Sequence, residues 1–187
     1  TAISTMPRPL FILLLFLCST SFAQEFRGLW VDAWGQGFTN ASQVTQLIAD
    51  ARAGNFNALV VEVRKRGDAH YFSDLEPEVD PNFDALADMI SKAHNTNAGR
   101  QRIEIHAWIV TYPIRRVADG IATAPANHPI RLHPDWLMRR DDGAIDGDVS
   151  YNFDPGHPEV QKHTFNVCMD EPVDYGEVRK GAEVAFG

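Results

Sequence analysis

Carboxylates and tryptophans recur at the ends of apolar runs in this sequence. "VDAW" carries Asp32 and Trp34, "VVEVR" carries Glu62 and Arg64, "IHAW" carries His106 and Trp108, and "YNFDPG" carries Asn152 and Asp154. Cleaving a glycosidic bond calls for one carboxyl held protonated as acid and a second held ionised as base or nucleophile, their separation selecting inversion or retention. Flat apolar rings beside such groups can stack on sugar rings, and Trp30, Trp34, Trp108 and Trp136 all fall at run ends or in a long aperiodic segment. Asp154 and Glu62 are therefore the candidate catalytic carboxylates. Asp32, Trp34, Arg64, His106, Trp108, Trp136 and Asn152 are candidates for contact with substrate.

Each of these residues also has a structural reading. Glu62 with Arg64 and Arg66 can form an internal ion pair, Asp32 can tie down a loop, and His106 can be a hydrogen-bonded interior histidine. Asp154, Pro155 and Gly156 are common turn residues, and Glu159 suits the first turn of a helix by charge alone. Other chemistries find less support. His128, His133, His157 and His163 lack zinc-site spacing, no nucleophile elbow or phosphate-cradling glycine loop is present, and no cofactor is implied.

The elements that must position these side chains alternate strand and helix. Apolar runs at 26–34, 57–64 and 102–110 read as strands, with a short fourth at 149–154. Helices are expected over 40–54, capped by Asn40 and ended by Gly54, over 80–94, opened by Asp80 and Pro81, and from Pro158 to about Met169. The segment 111–148 has no clear periodicity, and long loops of that kind inside compact domains are usually functional. Repeated βα units imply a parallel sheet. Successive strand residues face opposite ways, so Leu29, Val31, Leu59, Val61, Val63, Ile103, Ile105 and Ala107 share an aliphatic face. Trp30, Asp32, Glu62, Arg64, His106 and Trp108 share the other. A doubly wound sheet is apolar on both faces, whereas a barrel covers only its outside with helices. The parity favours an α/β fold of the (β/α)8 TIM-barrel type.

The chain has 187 residues and a net charge of −8, which disfavours nucleic acid or an anionic membrane as partner. A neutral polysaccharide or other glycan fits better. Residues 1–23 read as upstream residues followed, from Met6, by an export signal with Ser21 and Ala23 at its cleavage site. A secreted or periplasmic product with no stable membrane anchor is expected. Without the leader, Cys168 is the only cysteine, so no intrachain disulfide can form.

"EFRGLWVDAW", "NFNALVVEVRKRGDAHYFS", "IEIHAWIVTYPI", "HPDWLMR" and "YNFDPGHPEVQ", in this order, resemble the glycosyl-hydrolase-like family 10 proteins. The resemblance implies a secreted or lipid-anchored bacterial (β/α)8 barrel acting on glycans, with peptidoglycan strands a substrate of some members. His106, Trp108, His133, Asp135, Trp136 and Asp154 match the family's motif residues, which adds His133 and Asp135 to the candidate substrate contacts. After about Asp170 the chain departs from the family pattern, and 171–187 reads as a divergent tail left by truncation or frameshift. Residues 24–170 would then hold roughly four of the eight units of a barrel of about 250 residues.

Overall fold

The computed structural model describes residues 25–35, 37–145 and 147–170. The expectations for the export segment at 1–23 and the tail at 171–187 lie outside them. Three strands, β1 (Gly28–Val31), β2 (Ala58–Arg64) and β3 (Glu104–Ile109), form a parallel sheet in that order. Between them run α1 (Ala41–Ala53) and α2 (Ala85–His94).

Local sequence explains both helices. Asn40 Oδ1 accepts the Ser42 and Gln43 N–H groups at 3.1 and 3.0 Å, satisfying two of the unpaired donors at the α1 start. Val44, Ile48 and Ala51 recur at helical spacing and are buried. The second helix starts later than expected, at Ala85, because Asp84 is the capping residue and its Oδ1 accepts the Ala87 N–H at 2.7 Å. Asp80 instead closes a turn, accepting the Asn82 N–H at 2.8 Å. Leu86, Met89, Ile90 and Ala93 then pack with Val44, Ile48 and the aliphatic sheet face, Val31, Leu59, Val61, Val63 and Ile105, in one core.

The other sheet face behaves as its side chains require. Trp30, Val60 and His106 lie in one cross-strand row, and Trp30 is 67% exposed. One face is thus apolar and buried; on the opposite face Trp30 is exposed, Val60, His106 and Trp108 are half-buried, and Glu62 and Arg64 are buried.

The segment 111–157 forms a second, smaller unit. β4 (Pro113–Arg116) pairs antiparallel with β5 (Ser150–Asn152), and a short helix α3 (Pro129–Leu132) lies between them. Ile114, Ala124, Ile130, Trp136, Leu137 and Phe153 make a separate hydrophobic cluster with Val160 of the helix that follows. This corrects the expectation of a fourth parallel strand at 149–154: the described residues hold three parallel strands. A parallel return needs a crossover of a dozen or more residues, usually helical, and 111–148 supplies a helix of only four residues. The local hairpin-like pairing also occupies the backbone groups, with Phe153 N–H on Tyr112 O and Met138 N–H on Asn152 O, both at 2.9 Å. Helix α4 (Pro158–Met169) follows as expected.

Gly67 joins the two units. Its φ of +68° belongs to the left-handed region, and a Cβ there would strike Ile114 Cδ1 and sit 3.0 Å from His128 Cε1. Gly67→Ala combines backbone strain with overpacking and is expected to lower stability by about 2–3 kcal/mol. A drop in the urea midpoint at unchanged m-value would register it; an unaltered midpoint would contradict the close approach.

Candidate functional site

The carboxyl ends of β1 and β2 bring most of the expected residues together. Glu62 is 2% exposed, and its Oε2 accepts the Ala33 N–H at 2.7 Å. Its other oxygen has no hydrogen-bond partner among the described residues. Asp32 Oδ1 accepts the Trp34 and Gly35 N–H groups at 2.8 and 3.3 Å, and Lys65 Nζ donates to Ala33 O at 2.5 Å. The 32–35 turn is therefore fixed through one buried carboxylate, one exposed carboxylate and one ammonium. It holds Trp34 60% exposed, with the Arg66 guanidinium 4.3 Å and Lys65 Nζ 4.6 Å from the ring centroid. Trp108 is the register partner of Glu62 and meets Trp30 edge-on at 5.1 Å. One row lower, His106 Nε2 lies 3.3 Å from Glu104 Oε2. The β2–β3 register shifts between Glu62 and Arg64, an irregularity of the kind that re-aims side chains where a strand ends.

Arg64 has a different place from the one expected. It is 2% exposed and its fork is bidentate to Glu76, Nε to Oε2 and Nη2 to Oε1, each at 2.6 Å. Nη1 donates to the carbonyls of Val110 and Thr111, and His163 Nε2 stands 3.0 Å from Glu76 Oε1. Every polar group of Arg64 is thus engaged inside the protein, which corrects its assignment as a substrate contact; the anticipated ion-pair partner, Glu62, is replaced by Glu76. Burial alone would raise the Glu76 carboxyl, but the Arg64 charge and the hydrogen bonds from His163 and Arg64 hold it below the ordinary carboxylate range. Neither Glu76 nor Lys65 was singled out from sequence. Glu76 lies in an aperiodic acidic stretch twelve residues from its partner, and no local pattern encodes that contact.

The remaining candidates belong to the smaller unit. Trp136 is only 8% exposed, stacked on His133 at 3.8 Å and 8° and packed edge-on against Phe153. It is a core residue, which corrects its assignment to a sugar-facing groove. Asp135 is exposed, and Asn152 Nδ2 bonds Ser150 O at 3.0 Å. Asp154 answers the turn reading of its sequence: Oδ1 accepts the Gly156 N–H at 2.8 Å, and its own N–H donates to Trp136 O at 2.9 Å. His157 Nδ1 then caps α4 by accepting the Glu159 N–H at 3.2 Å. No hydrogen bond links Asp154 with Glu62. Among the described residues no group of three His, Cys, Asp or Glu side chains is arranged to hold a metal, and no helix is long and apolar enough to cross a membrane.

The family model described as "Glycosyl hydrolase-like 10" matches residues 25–176. A curated relative, Glycosyl hydrolase YngK of Bacillus subtilis (strain 168), is 28% identical over 78% of this chain. The chain spans 30% of the length of that relative. Among solved structures, the α-galactosidase TtGalA from Thermus thermophilus in complex with stachyose is similar with a TM-score of 0.45 and 14% identity, over 78% of this chain and 30% of that one. With most of its length covered by that one family model, the chain belongs to the glycosyl hydrolase-like 10 family.

Proposed function

We propose that this chain carries the carboxylate-bearing wall of a glycoside hydrolase barrel that cleaves O-glycosidic bonds of a polysaccharide outside the cytoplasm, with peptidoglycan glycan strands as a fitting substrate. The observation that carries the reading is Glu62, a buried carboxylate oriented by the Ala33 N–H, at the carboxyl end of the sheet beside the exposed Trp30 and Trp34 and the half-buried Trp108. In this reading the three parallel strands are part of a (β/α)8 barrel, whose sites are built at the carboxyl ends of the strands. Glu62 and Asp154 are its acid/base pair, and Asp32, Trp34, His106 and Trp108 line the sugar groove. The polar and aromatic composition of that face supports this, since inner barrel mouths tolerate such residues and doubly wound sheets do not.

A second reading is favoured by Asp154 itself, whose carboxylate is spent on the Gly156 turn: a carbohydrate-binding wall without turnover, using the same tryptophans. Release of reducing ends from peptidoglycan glycan strands, followed alongside quenching of tryptophan fluorescence, separates the two. Hydrolysis with binding supports the glycosidase. Quenching without new reducing ends supports the binding protein, and absence of both rejects glycans as ligands.

A further inference from the structure

We infer that His128, a buried residue of the smaller unit, is a positioning residue for the Trp34 platform: through the Arg66 carbonyl it sets where the Arg66 guanidinium rests on the indole. The inference rests on the glycan reading of the strand-end site and adds to it a residue that acts through another. Both ring nitrogens of His128 are engaged. Nδ1 accepts the Ile130 N–H at 3.2 Å, so the proton of the neutral ring lies on Nε2, which donates to Arg66 O at 3.1 Å. His128 is 3% exposed, and burial, the largest influence on its pKa, pushes it down and keeps the ring uncharged.

The loop that carries Arg66 is held from both sides. Asp68 Oδ1 accepts the Lys65 and Arg66 N–H groups at 2.9 and 2.8 Å. A Cβ on Gly67 would lie 3.0 and 3.3 Å from His128 Cε1 and Nε2, so the imidazole rests directly against this backbone. His128 is itself anchored, its N–H donating to Pro125 O at 3.0 Å and its carbonyl accepting the Arg131 N–H at 2.9 Å. Arg116 is placed by a bidentate bond to Asp119 at 2.8 and 2.6 Å, whereas the Arg66 guanidinium makes no hydrogen bond among the described residues. Its position, 4.3 Å from the Trp34 centroid, therefore follows from its backbone. Trp34 depends on it in turn. The 32–35 turn fixes the Trp34 backbone, but a ring 60% exposed has little packing to choose its rotamer, and the cations stacked on it, Arg66 and Lys65, select one orientation. Releasing Arg66 O would thus shift the ring while leaving the Glu62 bond to Ala33 intact.

The two nitrogens of His128 can be tested apart. His128→Asn keeps an acceptor near Nδ1 for the Ile130 N–H and loses the donor to Arg66 O, whereas His128→Gln places an amide N–H near Nε2 and loses the cap. In the full chain, binding of soluble peptidoglycan glycan strands is followed by calorimetry. Acrylamide quenching of Trp34 is read as the difference between each protein and its Trp34→Phe counterpart. His128→Asn is expected to weaken binding by roughly three- to tenfold, the scale of a lost cation–π contact, and to raise Trp34 quenching, while His128→Gln stays close to the native protein in both. Urea midpoints are expected to fall for both variants, so a loss of stability alone cannot produce that order. Native Trp34 quenching in His128→Asn, or equal losses in the two variants, overturns the inference and leaves the glycan reading standing. If the native chain binds no strands the glycan reading falls, and Trp34 quenching in His128→Asn still decides whether His128 places the ring.

Discussion

Glu76→Leu is expected to destabilise the protein by roughly 3–5 kcal/mol, because it strands the Arg64 guanidinium in the interior. Arg64 and Glu76 are 2% and 3% exposed, so neither can recover hydration without opening the fold. The loss would not stay local. Arg64 belongs to the end of β2 and reaches the carbonyls of Val110 and Thr111 just past β3, while Glu76 lies in the loop before α2 and His163 on α4. One carboxylate thus ties the parallel sheet to the loop and to the last helix. Arg64→Leu should cost a similar amount, and the double variant less than either alone, since exchanging a whole buried pair for apolar groups is often close to neutral. Urea unfolding of the four proteins measures this, and simple additivity would show that the pair is not coupled.

The same contact has a pH signature. The Glu76 carboxyl is held below its ordinary range, so its contribution is complete above about 4.5, the ordinary value, and disappears as the pH falls through the lowered one. Burial also pushes the pKa values of His70 and His128 down, keeping both rings neutral. Their share is lost earlier, once the pH drops below about 6.5, where the unfolded chain binds protons that the folded chain does not. Stability should therefore decline in two stages on acidification, and Glu76→Leu should shrink the lower one, leaving the small share of the surface Asp119, which Arg116 also holds low.

What the sequence made legible was local or periodic. The α1 cap at Asn40, the apolar stripe of α2, the start of α4 at Pro158 and the parity of β1, β2 and β3 each follow from residues within a few positions of one another. The split of Trp30, Glu62, His106 and Trp108 from Leu59, Val61 and Ile105 needed only the alternation of a strand. Failures came where contacts span the chain. Arg64 was legible as inward-facing, but its partner lies in a stretch without periodicity. Trp136 looked like the other tryptophans until His133, Phe153 and His163 closed around it. The run at 149–154 reads as extended, yet whether it joins the parallel sheet depends on 111–148 folding into a unit with its own core, which neither composition nor spacing announces.

Glu62→Gln is expected to lower the rate of glycan hydrolysis by about a hundred- to ten-thousand-fold, the span of a positioned acid or base, while glycan affinity changes little. The amide keeps an oxygen that can accept the Ala33 N–H, so the 32–35 turn and Trp34 stay in place and only the ionisable function is removed. Asp154→Asn is the necessary companion. Its amide oxygen can still accept the Gly156 N–H, preserving the turn before α4, so a comparable fall in rate assigns catalysis to Asp154, and an unchanged rate reduces it to a turn residue. The two variants should be compared in the form of the protein that releases reducing ends, with binding measured in parallel. Loss of rate in Glu62→Gln alone would place the second carboxylate elsewhere in the barrel. Full activity in Glu62→Gln would mean that the buried carboxylate serves only to hold Ala33, and the acid/base assignment at this mouth would fall.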